Sequence, residues 1–286
     1  FDPGEHIDIE EEKTEYPHDP GTPAVEMASD TTEKEVILIV EDNADVRQYI
    51  RGPLQKEYTV VEAADGTEGI AKAKEMIPDL IISDIMMPGV DGCALCAALK
   101  KDVKTSHIPI IFLTAKASEE NIIEGLETGA DDYITKPFNV NILLIRIKNL
   151  IDLRRHLQEK IQREMLLQPT EIAVSSVDRE FMKELKDAIE KNMSDEEFGV
   201  DELAKALIMG RSTLNRKIKA LTGESTNQFI QSYRLKRAAQ LLKSNFGSVL
   251  EVAVEVGFSS SSYFTKCFKN KFHQLPHALQ EAGEEE

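Results

Sequence analysis

From Val36 onward, short apolar runs alternate with stretches in which apolar residues recur every three or four positions. The runs are Val36–Val40, Thr59–Val61, Leu80–Ile82, Ile110–Leu113 and Tyr133–Ile134. Their shortness and β-branched content predict strands, and the periodic stretches between them, such as that of Ile122, Ile123 and Leu126, predict helices. Five strands alternating with helices predict an α/β domain with a five-stranded parallel, doubly wound sheet covered on both faces.

The fifth predicted helix begins near Asn139 and carries Leu143, Leu144, Ile147, Leu150 and Ile151. Its pattern continues through Leu157 and Ile161 toward Met165, so it leaves the domain until Gln168-Pro169-Thr170 breaks it. After Ser176 the periodicity is helical throughout. Asp178 is the predicted N-cap of a helix through Ile189. Further helices are predicted at Val200–Leu207, Ser212–Leu221, Thr226–Lys243, Val249–Val256 and Ser260–Lys271. Two pairs of these, separated by Met209-Gly210 and by Gly257-Phe258, read as helix-turn-helix units in an all-α domain. The expected organisation is an acidic, proline-containing linker at 1–34, the α/β domain at 35–157, a helical linker at 158–177, the all-α domain at 178–281 and an acidic tail at 282–286.

Composition sharpens this picture. A length of 286 residues fits two domains. No apolar run reaches the roughly 18 residues of a membrane span, so no membrane contact is expected of this segment. The start, Phe1-Asp2-Pro3-Gly4, lacks the basic flank and apolar stretch of a secretion leader and has no initiator Met, as expected of a piece of a longer chain in the cytoplasm. The three cysteines, Cys93, Cys96 and Cys267, are an odd number and fit a reducing compartment. Cys93-x-x-Cys96 has neither a second pair nor a nearby His and reads as two small helix residues. The net charge of −17 is unevenly spread. Lys205–Lys271 holds 12 basic and 3 acidic residues, a local +9 that suits a polyanionic partner.

In an open parallel sheet, ligands bind beyond the carboxyl ends of the strands. The first strand ends in Glu41-Asp42, the third in Asp84, the fourth in Thr114-Ala115 and the fifth in Lys136-Pro137. Three carboxylates on one rim repel unless a cation joins them. A few oxygen ligands with room for water suit Mg²⁺. Such a site can present an Asp to phosphorus while Lys136 and the Thr114 hydroxyl hold the phosphoryl oxygens.

Residues 36–157 resemble the receiver domain of bacterial two-component response regulators. The resemblance rests on Glu41-Asp42, Asp84-Ile85-Met86-Met87-Pro88-Gly89, Thr114-Ala115 and Lys136-Pro137-Phe138. It implies a flavodoxin-like fold and Asp84 as phosphoacceptor from a phosphohistidine. It also implies Mg²⁺ held by Glu41, Asp42, Asp84 and the Met86 carbonyl, with Thr114 and Tyr133 as a switch pair. A haloacid-dehalogenase-type phosphatase also uses a strand-end Asp, but wants a second Asp two residues on, where this chain has Met86.

In the first helix-turn-helix unit, Leu214, Ile218 and Leu221 form an inner face. Arg211, Ser212, Asn215, Arg216 and Lys219 are expected to face DNA, where Asn and Arg can read base edges in the major groove. In the second unit Phe264 and Phe268 face inward, and Ser261, Ser262, Thr265 and Lys266 are the candidate contacts. Residues 178–279 resemble an AraC-type DNA-binding domain. The matches are Arg211-Ser212-Thr213-Leu214-x-Arg216-Lys217, Arg234-Leu235-x-x-Ala238-x-x-Leu241-Leu242, and Val256-Gly257-Phe258 with Ser262-Tyr263-Phe264. Gly210 and Phe272-His273-Gln274-Leu275-Pro276 depart from the family pattern.

The order of receiver, long helix and AraC-type domain is similar to the cytoplasmic end of hybrid two-component sensors. The expected function is that of a non-enzymatic, phosphorylation-dependent transcription regulator. Its expected partners are DNA, a histidine kinase on the same or another polypeptide, and a second copy as a homodimer. The dimer would form through the face of the fourth helix, fifth strand and fifth helix. The alternative is a signalling adaptor or phosphate sink that no longer binds DNA.

Overall fold

Pairing of the apolar runs builds a single parallel sheet. The computed structural model describes residues 34–115, 128–164 and 175–283. In it β1 (Val36–Val40), β2 (Thr59–Ala63), β3 (Leu80–Asp84), β4 (Ile110–Thr114) and β5 (Asp132–Thr135) lie in the order β2-β1-β3-β4-β5. The register sets Ile37 beside Val60 and Leu80, and Thr114 beside Thr135. The strand order reverses between β1 and β3, which opens a crevice above their carboxyl ends.

Strand alternation feeds two cores. Ile37, Ile39, Ile82, Ile111 and Leu113 pack beneath α1 (Ala44–Leu54) and α4 (Val140–Glu164). Leu38, Val40, Ile81, Ile110 and Phe112 pack beneath α2 (Gly66–Met76) and α3 (Gly92–Lys101). α1 runs through Gly52-Pro53 and stops one residue later, at Leu54. Pro53 thus stands in the last turn, where the missing N–H costs a single helix bond. The predicted fifth helix is α4. The predicted fourth helix and the break at Gln168-Pro169-Thr170 lie outside the described residues, as does the linker up to residue 33; of the tail expected at 282–286, residues 282 and 283 belong to the last helix and 284–286 lie outside.

The second half is helical: α5 (Ser176–Lys191), α6 (Val200–Ala206), α7 (Arg211–Thr222), α8 (Thr226–Lys243), α9 (Val249–Glu255), α10 (Ser261–Phe272) and α11 (Pro276–Gly283). Two corrections follow. Asp178 does not cap α5: Ser175 does, its Oγ accepting from the Asp178 N–H at 3.0 Å. Asp178 is instead buried within the first turn. α11 was not predicted, although Pro276 at its first position is a favoured helix start.

Two apolar cores mirror the two helix-turn-helix units. Phe181, Leu185, Leu203, Leu214, Ile218 and Phe229 form one, and Leu235, Leu242, Val252, Phe258, Phe264 and Phe268 the other. α8 feeds both, and Arg234 on it binds the carbonyls of Asp195 at 2.6 Å and Gly257 at 3.3 Å. Gly257 adopts a left-handed φ of 76°, and a Cβ there would stand 2.5 Å from the Met193 carbonyl oxygen. The turn between the second pair of helices therefore requires glycine.

The α/β and helical halves were expected as separate domains joined by a linker at 158–177. Among the described residues, those from Lys34 onward form one compact unit. The first part of that linker is the end of α4, which lies along α7: Gln158 Nε2 donates to the Ala220 carbonyl at 2.8 Å and Gln162 Nε2 to that of Thr222 at 2.6 Å. Val103 of the loop after α3 and Ile161 of α4 join the first helical core.

Candidate functional site

The rim above β1, β3, β4 and β5 gathers the residues expected there. β1 delivers Glu41, almost wholly buried, and Asp42, which is exposed. β3 ends on Asp84, which is buried. One carboxylate oxygen from each of the three lies within 4.8 Å of the others. Lys136, just beyond β5, reaches across the crevice to Asp84 Oδ2 at 2.8 Å and Glu41 Oε2 at 2.7 Å. Thr114 is buried at the end of β4, and its carbonyl accepts from the Lys136 N–H at 2.6 Å. Tyr133 is exposed, on the strand beside Phe112. The Met86 N–H donates to Asp84 Oδ1 at 3.3 Å, so the loop after β3 wraps the Asp84 carboxylate.

Two residues that sequence reasoning passed over shape this rim. Asn43 caps α1, its Oδ1 accepting from Asp45 N at 2.9 Å. Arg47, one turn on, donates to the carbonyls of Glu41 at 2.5 Å and Asp42 at 3.1 Å. The Asn-x-x-x-Arg spacing after the acidic pair was the available signal.

The electrostatics follow from burial and proximity. Burial raises the Glu41 pKa above the usual carboxylate value, the Lys136 hydrogen bond opposes this, and the Asp84 charge adds to it. Burial pulls Lys136 down, but hydrogen bonds to Asp84 and Glu41 outweigh it, so its pKa is raised and it stays an ammonium. One cation facing three carboxylates leaves negative charge uncompensated. The donor set, hard carboxylate oxygens on an open rim, fits a divalent cation that keeps several waters, as Mg²⁺ does.

Gly92 fixes where Asp84 sits. A Cβ at residue 92 would stand 2.3 Å from the Asp84 carbonyl oxygen and 2.9 Å from Ile85 Cα, both backbone atoms. Gly92→Ala is expected to cost about 1–3 kcal/mol of stability through overpacking. Urea unfolding would measure it, and an unchanged midpoint would contradict the close approach.

On the helical half, the candidate DNA residues separate into distinct groups. Ser212, Arg216 and Lys219 form an exposed row along α7, and Arg211 is exposed beside Asp201 at 3.4 Å. Asn215 departs from its expected outward position. It is half-buried, and its Oδ1 accepts from Thr226 N at 2.9 Å and Thr226 Oγ1 at 3.1 Å, tying α7 to the start of α8. Arg216 donates from Nη1 to the Glu75 carbonyl at 2.6 Å, at the end of α2. On α10, Ser262 and Lys266 are exposed with Lys269 continuing their row, whereas Ser261 and Thr265 are half-buried. Lys217, inside α7, is fully buried, which its charge gave no reason to expect.

Comparison with known proteins matches both halves. The family described as response regulator receiver domain matches residues 37–148, and that described as helix-turn-helix domain matches residues 203–282. Histidine kinase P4 of Formosa agariphila is 44% identical over 248 residues, which cover 87% of this chain and 18% of that protein. The transcriptional regulatory protein ResD of Bacillus subtilis is 44% identical over 123 residues, 43% of this chain and 50% of its own. The chain thus spans half or less of these two curated relatives. Among solved structures, the Vibrio cholerae chemotaxis protein CheY4 is 36% identical over 41% of this chain and 98% of its own, with a TM-score of 0.40. No described helix is long and apolar enough to cross a membrane. The chain carries a response regulator receiver domain at residues 37–148 and an AraC-type helix-turn-helix domain at residues 203–282.

Proposed function

We propose that the chain is a cytoplasmic, sequence-specific transcription regulator controlled by phosphorylation of Asp84. The observation that carries this reading is the joining of two sites in one chain. One is the strand-end carboxylate triad with Lys136, and the other is a pair of helix-turn-helix units with exposed basic rows. The donor is the phosphohistidine of a histidine kinase, on the same or another polypeptide. An Asp84 carboxylate oxygen attacks phosphorus, an O–P bond forms, the N–P bond breaks, and the imidazole leaves with its electron pair. Lys136 neutralises phosphoryl charge from its place beside Asp84. Glu41, Asp42, Asp84 and the Met86 carbonyl would hold Mg²⁺, which supplies charge neutralisation for the transferring group.

Thr114, buried at the end of β4, moves toward the phosphoryl group, and the exposed Tyr133 ring turns inward. The face formed with β5 and α4 then pairs with a second copy. Ile142, Ile145 and Leu153 are exposed on α4 beside the Arg146–Asp132 ion pair, an apolar stripe with a charged edge. Two monomers on adjacent half-sites bind with the effective concentration of a linked pair. Arg211, Ser212, Arg216 and Lys219, with Ser261, Ser262, Thr265 and Lys266, are the DNA-facing set. Asn215 positions α7 through Thr226. The chain turns over no diffusible substrate.

The test is binding to genomic DNA fragments, with and without Mg²⁺ and beryllofluoride as phosphoryl mimic. Selective binding strengthened by the mimic is expected, with a steep salt dependence. A protein making six or more phosphate contacts loses roughly a thousandfold in affinity between 50 and 200 mM salt. No selective binding in either state, with Asp84 still phosphorylated, would leave a signalling adaptor or phosphate sink.

A further inference from the structure

The receiver and the first helix-turn-helix unit share a buried polar contact that neither half needs for its own chemistry. Ser106 and His107 lie in the receiver, in the loop that leads into β4. Lys217 of α7 donates from Nζ to Ser106 Oγ at 3.0 Å, to His107 Nδ1 at 3.0 Å and to Asp178 of α5. Ser106 Oγ in turn donates to Asp178 Oδ1 at 2.7 Å, and Ser175 Oγ to Asp178 Oδ2 at 2.7 Å. The three protons of one ammonium thus meet three acceptors, two of them from the receiver. All four residues of this cluster, Ser106, His107, Asp178 and Lys217, are buried.

The contact extends along α7. Its last carbonyls, which a helix leaves without internal partners, are taken by the receiver's long helix. Arg154 Nε binds the Ala220 carbonyl at 3.2 Å while its Nη1 holds the Asp79 carbonyl at 3.0 Å. Gln158 and Gln162 bind those of Ala220 and Thr222. Arg216, in the middle of the exposed row, lies on the Glu75 carbonyl at the end of α2. Residues 216, 217, 219, 220 and 222 of one 12-residue helix are therefore engaged by the receiver.

We infer that α7 has two mutually exclusive occupants, the receiver and the DNA major groove, so that the docked arrangement is an autoinhibited state of the first helix-turn-helix unit. A helix lying in the major groove has groove walls on both of its flanks. With the end of α2 at Arg216 and α4 along its C-terminal half, α7 cannot be embedded that way. Release frees Arg216 from the Glu75 carbonyl and the α7 C-terminus from α4 together, because one helix carries both. This rests on the DNA-binding reading of α7.

The test uses the full chain and weakens the interface from the receiver side only. Ser106→Ala with His107→Ala removes two acceptors but leaves the Lys217–Asp178 pair inside the helical half. Arg154→Ala with Gln158→Ala is an independent second variant. Radius of gyration by small-angle scattering reads undocking, and anisotropy of a labelled duplex of random sequence at low salt reads binding without needing an operator. Phosphate uptake by Asp84 verifies that the receiver stays folded. Expected are a larger radius and DNA binding tightened about tenfold, the gain when a competent fraction near 10% becomes the whole population. A larger radius with unchanged DNA affinity would overturn the exclusion, and an unchanged radius in both variants would overturn the latch. A larger radius with no DNA binding by any form would sink the DNA-binding reading itself.

Discussion

Asp84→Ala is expected to take up no phosphoryl group from a phosphohistidine donor or from a small acyl phosphate. The reason is geometric. Among the three carboxylates of the rim, Asp84 alone stands at the end of the middle strand β3, with the Met86 N–H on one oxygen and the Lys136 ammonium on the other. Glu41 is held by the same lysine but belongs to β1, and Asp42 is exposed. Both would remain to collect a cation in the variant, yet neither stands where the loop after β3 turns an amide toward the acceptor. Gel mobility of the phosphorylated form, or mass of the intact chain, would read the stoichiometry directly. Phosphate retained at another carboxylate would show that the rim is less specific than its hydrogen bonds imply. Lys136→Met should also fail, for a different reason: it leaves Glu41 and Asp84 facing each other without their shared cation. That variant is expected to lose stability as well as phosphate, whereas Asp84→Ala relieves repulsion and should unfold no earlier than the parent.

The rim was legible in the sequence because strand periodicity fixes which residue follows the last apolar position, and a parallel sheet brings those positions to one side. Glu41, Asp84, Thr114 and Lys136 needed no more than that. α8 was likewise bounded at Thr226 and Lys243, where Ser225 and Gln228 form a capping box. What failed depended on partners far along the chain. Ser175 and Asp178 are both good caps by composition, and the choice was made by Lys217, 39 residues away, which draws the Asp178 carboxylate into the core. Asn215 sits at the edge of the helix stripe, and only the position of Thr226 decides that its amide turns inward. Ser106 and His107 looked like loop residues. Their burial comes from a surface that exists only once both halves have folded and met.

That surface also predicts the largest stability change. Asp178→Ala is expected to destabilise the chain by about 3–5 kcal/mol, because it strands the Lys217 ammonium in the interior. Lys217 is fully buried and Asp178 is 1% exposed, so water cannot replace the lost carboxylate. Burial already holds the Lys217 pKa below its ordinary value, against the pull of the Asp178 charge and hydrogen bond. Without Asp178 the lysine keeps only the neutral acceptors Ser106 and His107, with the Phe181 ring 5.5 Å from its Nζ. Arg211→Ala provides the contrast, since its pairing with Asp201 is solvent-exposed and worth roughly 1 kcal/mol at most. The informative variant is the double replacement Asp178→Leu with Lys217→Met, which removes both charges at similar volume. If the pair is ionised, the double variant should recover most of what Asp178→Ala loses, as apolar replacement of buried pairs often does. Urea unfolding of the parent, Asp178→Leu, Lys217→Met and the double variant would close the cycle. An Asp178→Ala loss of less than about 1 kcal/mol would mean that Lys217 is already neutral in the folded chain, and that the two halves are held by shape and the α4 hydrogen bonds instead.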